Sequence, residues 1–267
     1  MVVSAASALH FSGVVSVAFA PAAVLFATVV GSRPELIVLM VGSAFVWLCA
    51  ISVVATVWSI LVPLRGMLGL LVLYAVVLQE GSRWATYALY ERLMRGLRSI
   101  GLHPTRPAAL PLGADVMPAA VASGLGAGIM QVLVMYGDVF GGALLPGTIY
   151  ATTCPALSVF AVDALCSSAF LVLNVLLCVV GWASAYAGGG KPGSWLYLAA
   201  IVALHLLASG ATLLNSHRFD AVDGCVVALP CLFVTVLMAG ALAACAVGCS
   251  APRKSGGGDA PPAQPLA

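Results

Sequence analysis

Long apolar stretches separated by short polar segments dominate this sequence. A helix needs about 20 consecutive apolar residues to cross a hydrocarbon core of about 30 Å. Seven stretches reach that length, and we predict a transmembrane helix in each: 8–30, 36–62, 67–90, 117–138, 155–185, 195–215 and 224–249. The pattern therefore predicts an all-α, polytopic membrane protein with seven transmembrane helices.

The first stretch is predicted to remain in the mature protein. Ala18 and Ala20 resemble a signal-peptide cleavage site, but no charged segment precedes the apolar run. That run is also longer than the apolar region of a signal peptide, which usually has about 7–15 residues. Proline removes a backbone donor and bends helices. We therefore expect bends near Pro21 and, in the seventh stretch, near Pro230.

The composition supports a membrane location and excludes a nucleic-acid partner. The 267 residues are 62% hydrophobic and 7% charged, whereas soluble domains contain about 25% charged residues. The net charge is only +2, and the sequence has no basic patch with interleaved aromatic residues. We predict one seven-helix domain over 1–250 and a disordered cytosolic tail over 251–267, which is rich in Gly, Pro and Ala.

Basic residues are divided unequally between the two sides of the predicted bundle. Eight lie on one side, namely Arg33, Arg92, Arg95, Arg98, Arg106, Lys191, Arg253 and Lys254, and two lie on the other, Arg65 and Arg218. Cytoplasmic loops carry the excess of Lys and Arg. The division therefore predicts an N-terminus that is outside or lumenal and a cytosolic C-terminus.

The eight cysteines lie in or beside apolar runs and include no C-x-x-C pair. This arrangement argues against a zinc site and against a disulfide framework, so we interpret them as small hydrophobic residues in the membrane. Cys245 and Cys249, near the end of the last stretch, are candidates for palmitoylation. No metal ligands and no cofactor are expected.

The fourth stretch contains a face with almost no side chains. Ala120, Gly124 and Gly128 are spaced four residues apart, and Ser123 lies beside them. Small residues at this spacing let two helix backbones approach closely in lipid. The neighbour is either a helix of the same chain or a helix of another membrane protein. We predict these four residues as a partner-helix packing face.

Polar residues close the third stretch and interrupt others. Gln79, Glu80 and Arg83 stand together, and Glu80 and Arg83 share a helix face and can pair. This pair is either buried within the bundle or placed at the interface with its charges in water. Ionisable groups inside a span indicate function by default, and we assign these three residues a buried, structural role.

The most informative single residue is His205, near the middle of the sixth stretch, with Ser209 one turn later. A neutral imidazole at that depth requires hydrogen-bond partners. We predict a buried structural role for His205, Asn174 and Ser209, with Asn174 as a candidate partner; catalysis or proton relay is the alternative. Asp163 lies nearer the outer end of the fifth stretch, where it can reach a polar cavity or headgroups.

The sequence lacks the motifs of known intramembrane enzymes and receptors. Neither Ser123 nor Ser209 is part of a G-x-S motif, Asp138 is not part of G-x-G-D, and no H-E-x-x-H is present. A seven-helix receptor would carry Asp-Arg-Tyr after the third span and N-P-x-x-Y in the seventh, and both are absent. We therefore predict no catalytic residues and a protein that is not an enzyme.

Four segments carry a resemblance to a known family. They are FSGVVSVAFAPAAVLFATVVGSRPELIVLMVGSAFVWL (11–48), LQEGSRWATYALYERL (78–93), SGLGAGI (123–129) and LHLLASGATLLN (204–215). Each segment alone is weak, but their order and spacing together resemble the anterior pharynx-defective (Aph) family, the scaffold subunit of γ-secretase. The resemblance extends to about Cys249.

The resemblance implies a non-catalytic assembly subunit of an intramembrane aspartyl protease complex. Its partners would be presenilin, nicastrin and presenilin enhancer, with membrane lipid around them, and it would support protein processing such as Notch signalling. It also implies location in the endoplasmic reticulum, Golgi and plasma membrane. The alternative is a small transporter or channel with a polar cavity around His205, Asn174 and Asp163.

Two positions depart from the family pattern. Gly124 and Gly128 match the first two glycines of a triple repeat, but the third position is Val132. His205 matches the family's sixth-span histidine, whereas its fifth-span histidine is replaced by Asn174. An amide retains hydrogen bonding but cannot titrate near neutral pH. The departure therefore favours a structural role for this pair.

Overall fold

Seven α-helices and one short hairpin make up the described part of the protein. The computed structural model describes residues 5–61, 67–100, 116–144, 149–151, 154–188, 193–214 and 224–250. The helices are α1 Ala5–Leu25, α2 Pro34–Ile60, α3 Leu68–Ser99, α4 Val116–Gly142, α5 Val159–Gly188, α6 Gly193–Leu213 and α7 Gly224–Ser250. An antiparallel hairpin, β1 Tyr150–Ala151 and β2 Cys154–Ser158, lies between α4 and α5. The predicted all-α class is confirmed.

Six of the helices are long and apolar enough to cross a membrane. The apolar spans are Ser7–Val30, Pro34–Ile60, Val116–Gly142, Val159–Tyr186, Trp195–Leu213 and Gly224–Gly248. Helix α3 is the exception because Gln79, Glu80 and Arg83 interrupt its apolar half. Its 32 residues also continue past the predicted end at residue 90. That extension is polar and carries an exposed pair, Arg95 with Glu91 at 3.6 Å.

The first helix continues through its proline and changes geometry before it ends. Pro21 lies inside α1, and a π-helical turn, Phe26–Val30, follows. The Gly31 N–H donates to the Phe26 carbonyl at 2.7 Å, which closes this wider turn. Helix α2 then begins at Pro34, where a missing N–H costs nothing. The bends near Pro21 and Pro230 stay predictions, and the tail over 251–267 lies outside the described residues.

Helices α4 and α5 form the centre of the bundle. In the most apolar stretch of each helix, 61% of the residues of α4 and 78% of those of α5 are buried inside the protein, against 17% for α2. The largest buried side chains of α5 include Leu171, Leu173, Leu177 and Trp182. Helices α1, α2 and α7 pack around this pair, and α6 packs on α5, α7 and α3. Most of α5 and the N-terminal part of α4 are therefore covered by the rest of the chain, whereas Leu133, Val134 and Met135 of α4 stay exposed.

The hairpin and a disulfide correct two sequence-based expectations. Residues 155–158 belong to β2 rather than to the predicted fifth span. Cys154, at the start of β2, forms a disulfide with Cys225 at the start of α7, although the cysteine spacing argued against disulfides. The two residues are 71 positions apart, and their Cα atoms are 5.4 Å apart, within the usual range. Sequence spacing could not indicate this pair, because the fold brings the start of β2 next to the start of α7.

Candidate functional site

A buried carboxylate on α3 stands between two basic groups. Glu80 Oε1 lies 2.5 Å from His205 Nδ1 of α6, and Glu80 Oε2 lies 3.3 Å from Arg83 Nε. The exposed fractions of Glu80, Arg83 and His205 are 3%, 7% and 1%. The structure therefore places this ion pair inside the helix bundle, shielded by protein. Glu80 and Arg83 meet because they lie three residues apart on one helix face.

Arg83 also reaches across to α5. Its NH2 group donates to Asn174 Oδ1 at 2.6 Å, and its NH1 group donates to the Asn174 carbonyl at 3.1 Å. The Asn174 amide in turn donates to Gln131 Oε1 of α4 at 2.7 Å and to the Phe170 carbonyl at 2.8 Å. Asn174 thus accepts from a cation and donates to two oxygens, which an amide side chain can do at once.

A fifth helix joins the cluster through Gln79. Trp47 of α2 donates its indole N–H to Gln79 Oε1 at 3.2 Å, and both side chains are buried. Gln79 is the residue before Glu80 on α3, so polar contacts made by α3 and α5 side chains link α2, α3, α4, α5 and α6. We call Trp47, Gln79, Glu80, Arg83, Gln131, Asn174 and His205 the polar cluster.

The geometry of the polar cluster favours a fixed arrangement over a reactive one. A buried charge is tolerated when it is paired and hydrogen-bonded, and Glu80 and Arg83 supply each other's counter-charge. The other groups that bind Arg83 are the backbone carbonyl and the side-chain amide oxygen of Asn174. Both accept hydrogen bonds from the guanidinium group but do not take up its proton. Removing one member leaves another buried group unpaired, so these side chains are restricted to this set of partners. It can hold five helices in register.

The predicted partners of His205 differ from those observed. Asn174 was the expected partner, but it binds Arg83 and Gln131 instead, and the described hydrogen bond of His205 goes to Glu80. Ser209 is only half-buried, and its carbonyl accepts from Thr212 at 2.7 Å. The reason is one of packing: α6 lies against α3 as well as α5, which no spacing in the sequence reveals.

Asp163 does not belong to the polar cluster. It lies 11 residues before Asn174 on the same helix, which at 1.5 Å per residue is about 16 Å along the axis. Its side chain is half-buried. The structure thus brings His205 and Asn174 into one cluster through Glu80 and Arg83, whereas Asp163 stands apart. Among the described residues, His205 and Asn174 thus lie apart from Asp163, whereas the transporter alternative requires all three around one cavity.

The small-residue face of α4 is in close contact with α5 of the same chain. A β-carbon placed on Gly124 would lie 2.6 Å from Val175 Cα and 2.9 Å from the Asn174 carbonyl. One placed on Gly128 would lie 3.2 Å from both Cα and O of Leu171. These are backbone atoms, which cannot move aside cheaply. The close approach that the sequence indicated is therefore made within the chain.

The opposite side of α4 is equally close to α2. A β-carbon on Gly126 would overlap the Met40 carbonyl of α2. Nearby, the Ser43 hydroxyl donates to the Ser123 carbonyl at 2.7 Å, and the two hydroxyls are 3.1 Å apart. Ala120 and Ser123 are both 1% exposed. All four predicted face residues are thus covered in this chain alone, and their contact with a partner helix stays a prediction.

Three residues of the polar cluster region were missed in the sequence. Gln131 is the clearest case, since a glutamine inside an apolar span is itself the signal that drew attention to Asn174. Gly126 stands two residues out of phase with the small-residue repeat and therefore faces α2 instead of α5. Trp47 stood in the family-like segment 11–48, but its hydrogen bond to Gln79 was not predicted, because tryptophan is common in membrane helices.

The chain is similar to known proteins over most of its length. The family described as Aph-1 protein matches residues 9–249. The gamma-secretase subunit APH1-like of Arabidopsis thaliana is 28% identical over 226 residues, which cover 83% of this chain and 86% of the relative. Gamma-secretase subunit Aph-1b of Danio rerio is 28% identical over 216 residues (78% and 79%). Gamma-secretase subunit APH-1B of Homo sapiens is 27% identical over 221 residues (79% and 80%).

Proposed function

Because this chain belongs to the Aph-1 protein family, we propose that it is a subunit of a γ-secretase complex. Relatives from a plant, a fish and a mammal are all named as gamma-secretase subunits. Within that complex we assign it the role of a non-catalytic scaffold that stabilises presenilin and nicastrin, with presenilin enhancer completing the assembly. It would support intramembrane proteolysis in the endoplasmic reticulum, the Golgi and the plasma membrane.

The observation that carries the scaffold role is the polar cluster. Its ionisable members, Glu80, Arg83 and His205, are bonded to one another or to amide and carbonyl groups of neighbouring helices. A catalytic residue has to meet a substrate, whereas these side chains are buried and partnered. Five helices are held in a fixed relation by the cluster, which is what a platform for other membrane subunits requires.

The small-residue face acts on assembly indirectly in this proposal. Gly124 and Gly128 set the distance between α4 and α5, and Gly126 sets that between α4 and α2. A change in these distances moves the outer faces of the bundle, where partner helices would dock. Many large apolar side chains are exposed on those faces, such as Val38 and Phe45 of α2 and Leu237 of α7. These faces contact either lipid or other subunits.

We further infer that all seven helices cross the membrane, with the N-terminus outside or lumenal. Helix α3 is about 48 Å long at 1.5 Å per residue, and its charged pair is shielded inside the bundle. The disulfide Cys154–Cys225 joins the α4–α5 connection to the start of α7, and a seven-span arrangement puts these two regions on the side opposite the one predicted for the eight basic residues. Disulfides form in oxidising compartments, so the disulfide and the basic residues support the same orientation.

The test is affinity purification of the tagged chain from membranes in mild detergent, followed by mass spectrometry. We expect presenilin, nicastrin and presenilin enhancer to co-purify in similar amounts, and the isolated chain to have no protease activity. Purification of the chain without these proteins would contradict the proposal. Solute flux from the purified chain in liposomes would instead support the transporter alternative.

A further inference from the structure

A small cavity lies beside the Glu80–Arg83 ion pair, between α3, α5 and α6. Its walls include Glu80, Arg83, Tyr87, Cys178, Trp182 and Ile201. The space open to the centre of a water molecule is about 10 Å³. That is the smallest volume that accommodates a single water. The cavity is therefore of a size that suits a single water molecule.

Three residues that line this cavity have a buried polar atom without a hydrogen-bond partner. Within the described part of the chain, the atoms without one are Glu80 Oε2, Arg83 Nε and Trp182 Nε1, together with one serine hydroxyl elsewhere. Trp182 is only 2% exposed, and its ring packs against Tyr87 with centroids 5.3 Å apart. Glu80 Oε2 and Arg83 Nε are 3.3 Å apart, which is close enough for an ion pair. The Arg83 N–H is nevertheless not aligned for a hydrogen bond to that oxygen.

Such atoms require a partner in the interior of a membrane protein. A buried donor or acceptor without a hydrogen bond is strongly disfavoured, and the great majority of buried polar atoms have one. The indole N–H can only donate, and the carboxylate can only accept. The two belong to different helices, α5 and α3, yet both residues line the same cavity.

The chemistry of these atoms restricts the ligand. A cation cannot accept a hydrogen bond from the Trp182 indole, and an anion would be repelled by Glu80. Arg83 already neutralises that carboxylate, so the ligand has to be neutral. It must also be a single heavy atom that both accepts and donates. We propose that the cavity is a binding site for one water molecule, which accepts from Trp182 Nε1 and donates to Glu80 Oε2.

This water connects α5 to α3 through the Glu80 oxygen that does not contact His205. Each oxygen of the carboxylate then has its own partner: His205 at Oε1, and water together with the charge of Arg83 at Oε2. A buried water of this kind usually makes about three hydrogen bonds. The site belongs to the interior of this chain, so it holds whether or not the chain assembles into a γ-secretase complex.

The first test is a density map of the full-length chain in lipid nanodiscs, at a resolution that shows ordered water. We expect a peak about 2.7–3.2 Å from both Trp182 Nε1 and Glu80 Oε2. A direct contact between the indole and the carboxylate, with no peak between them, would overturn the proposal. So would a dry cavity with both atoms unpartnered. This measurement needs no variant and is independent of the effect of mutations on folding.

The second test is ultraviolet resonance Raman spectroscopy, which reports whether an indole N–H donates a hydrogen bond. Subtracting the spectrum of Trp182→Phe from that of the unmodified chain isolates Trp182. Trp47→Phe gives the matched reference, since Trp47 donates to Gln79 Oε1 at 3.2 Å. We expect the Trp182 signal to shift as far as that of Trp47. A Trp182 signal at the frequency of a free N–H would refute the site.

Discussion

Glu80 of α3 and His205 of α6 are hydrogen-bonded at 2.5 Å, although 125 positions separate them in the chain. Both side chains are almost fully buried, and the other carboxylate oxygen faces Arg83 at 3.3 Å. Glu80 therefore performs two tasks, one with each oxygen: it fixes α6 against α3, and it neutralises the only arginine that reaches α5 among the described contacts. Changes to His205 and to Arg83 test these tasks separately.

Replacing His205 tests the contact between α3 and α6. His205→Gln retains a side-chain donor for Glu80 and should preserve stability and complex yield. His205→Leu removes that donor and should cost about 1.5 kcal/mol, the lower end of the range for a hydrogen bond to a charged group and close to the strongest bonds measured in membrane proteins. Thermal unfolding of the purified protein in one detergent measures both. Normal yield with abolished protease activity of the complex in His205→Gln would indicate proton transfer and contradict the structural role.

Replacing Arg83 tests the charge balance. Arg83→Met leaves Glu80 as an uncompensated buried charge, which should cost about 3–5 kcal/mol. The matched control is Arg95→Met, since the Arg95–Glu91 pair is 67% and 54% exposed. Exposed pairs of this type contribute about 0.3–0.5 kcal/mol. Unfolding temperatures of the two variants should therefore differ widely.

A double variant separates charge from packing at the same site. Glu80→Gln combined with Arg83→Met removes both charges, so it should be more stable than Arg83→Met alone. Glu80→Gln also keeps a side chain that can hydrogen-bond His205. If the double variant is less stable than Arg83→Met, loss of packing and not the unpaired charge explains the effect.

A glycine-to-alanine series on α4 tests the close approach of the helices. Gly126→Ala and Gly124→Ala place a methyl group against backbone atoms of α2 and α5, so both should destabilise the protein by about 1–3 kcal/mol. Gly128→Ala meets Leu171 at 3.2 Å and should be milder. Gly137 has open space around its Cα, so Gly137→Ala should be neutral or gain up to about 1 kcal/mol from helix propensity. Equal tolerance at all four positions would show that the backbones are farther apart.

Cysteine substitutions test the disulfide between the hairpin and α7. Cys154→Ser, Cys225→Ser and the double variant should lower the unfolding temperature equally, because each breaks the same bond. For a separation of 71 residues the chain-entropy relation sets an upper limit of about 4 kcal/mol. Cys49→Ser is the control, since Cys49 is a free, exposed thiol. Additive effects of the two single variants would contradict the bond.

Protease accessibility tests the orientation of the chain. A tag at the N-terminus or in the Leu144–Thr153 segment should be protected in sealed microsomes, whereas a tag in the Arg92–Pro107 segment should be cleaved. The expectation follows from the eight-to-two division of Lys and Arg. The N-terminal and Arg92–Pro107 tags should behave oppositely, because three helices that cross the membrane would separate them. Protection of both tags would overturn the seven-span arrangement.

Much of the fold could be predicted because it depends on local pattern. The lengths of the apolar stretches located all seven described helices, and most of the predicted helix ends lie within a few residues of the observed ones. The family resemblance is also confirmed. The partner of His205 and the contacts of Arg83 with Asn174 could not be predicted, since they depend on which helices are neighbours. The same holds for Cys154 and Cys225, whose meeting is set by the ends of β2 and α7.

The candidate site was located by residue type but not by connectivity. An ionisable or amide side chain in an apolar span is improbable without a partner, and that rule identified Glu80, Arg83, Asn174 and His205. It gives no pairing, because each amide can bond to several neighbours. Gln131 completes the set by accepting from Asn174, and only the three-dimensional arrangement shows that Arg83 occupies the other side of that amide.

The disulfide closes a covalent ring of which two helices and the start of a third are part. The chain from Cys154 to Cys225 contains α5 and α6, and the ring is completed at the first turn of α7. A single cut in the segment 189–192, which connects α5 to α6, would open this ring without dividing the molecule. The nicked chain would migrate as one species on a non-reducing gel and as two fragments after reduction. The C-terminal half of the bundle can therefore survive backbone cleavage as one molecule.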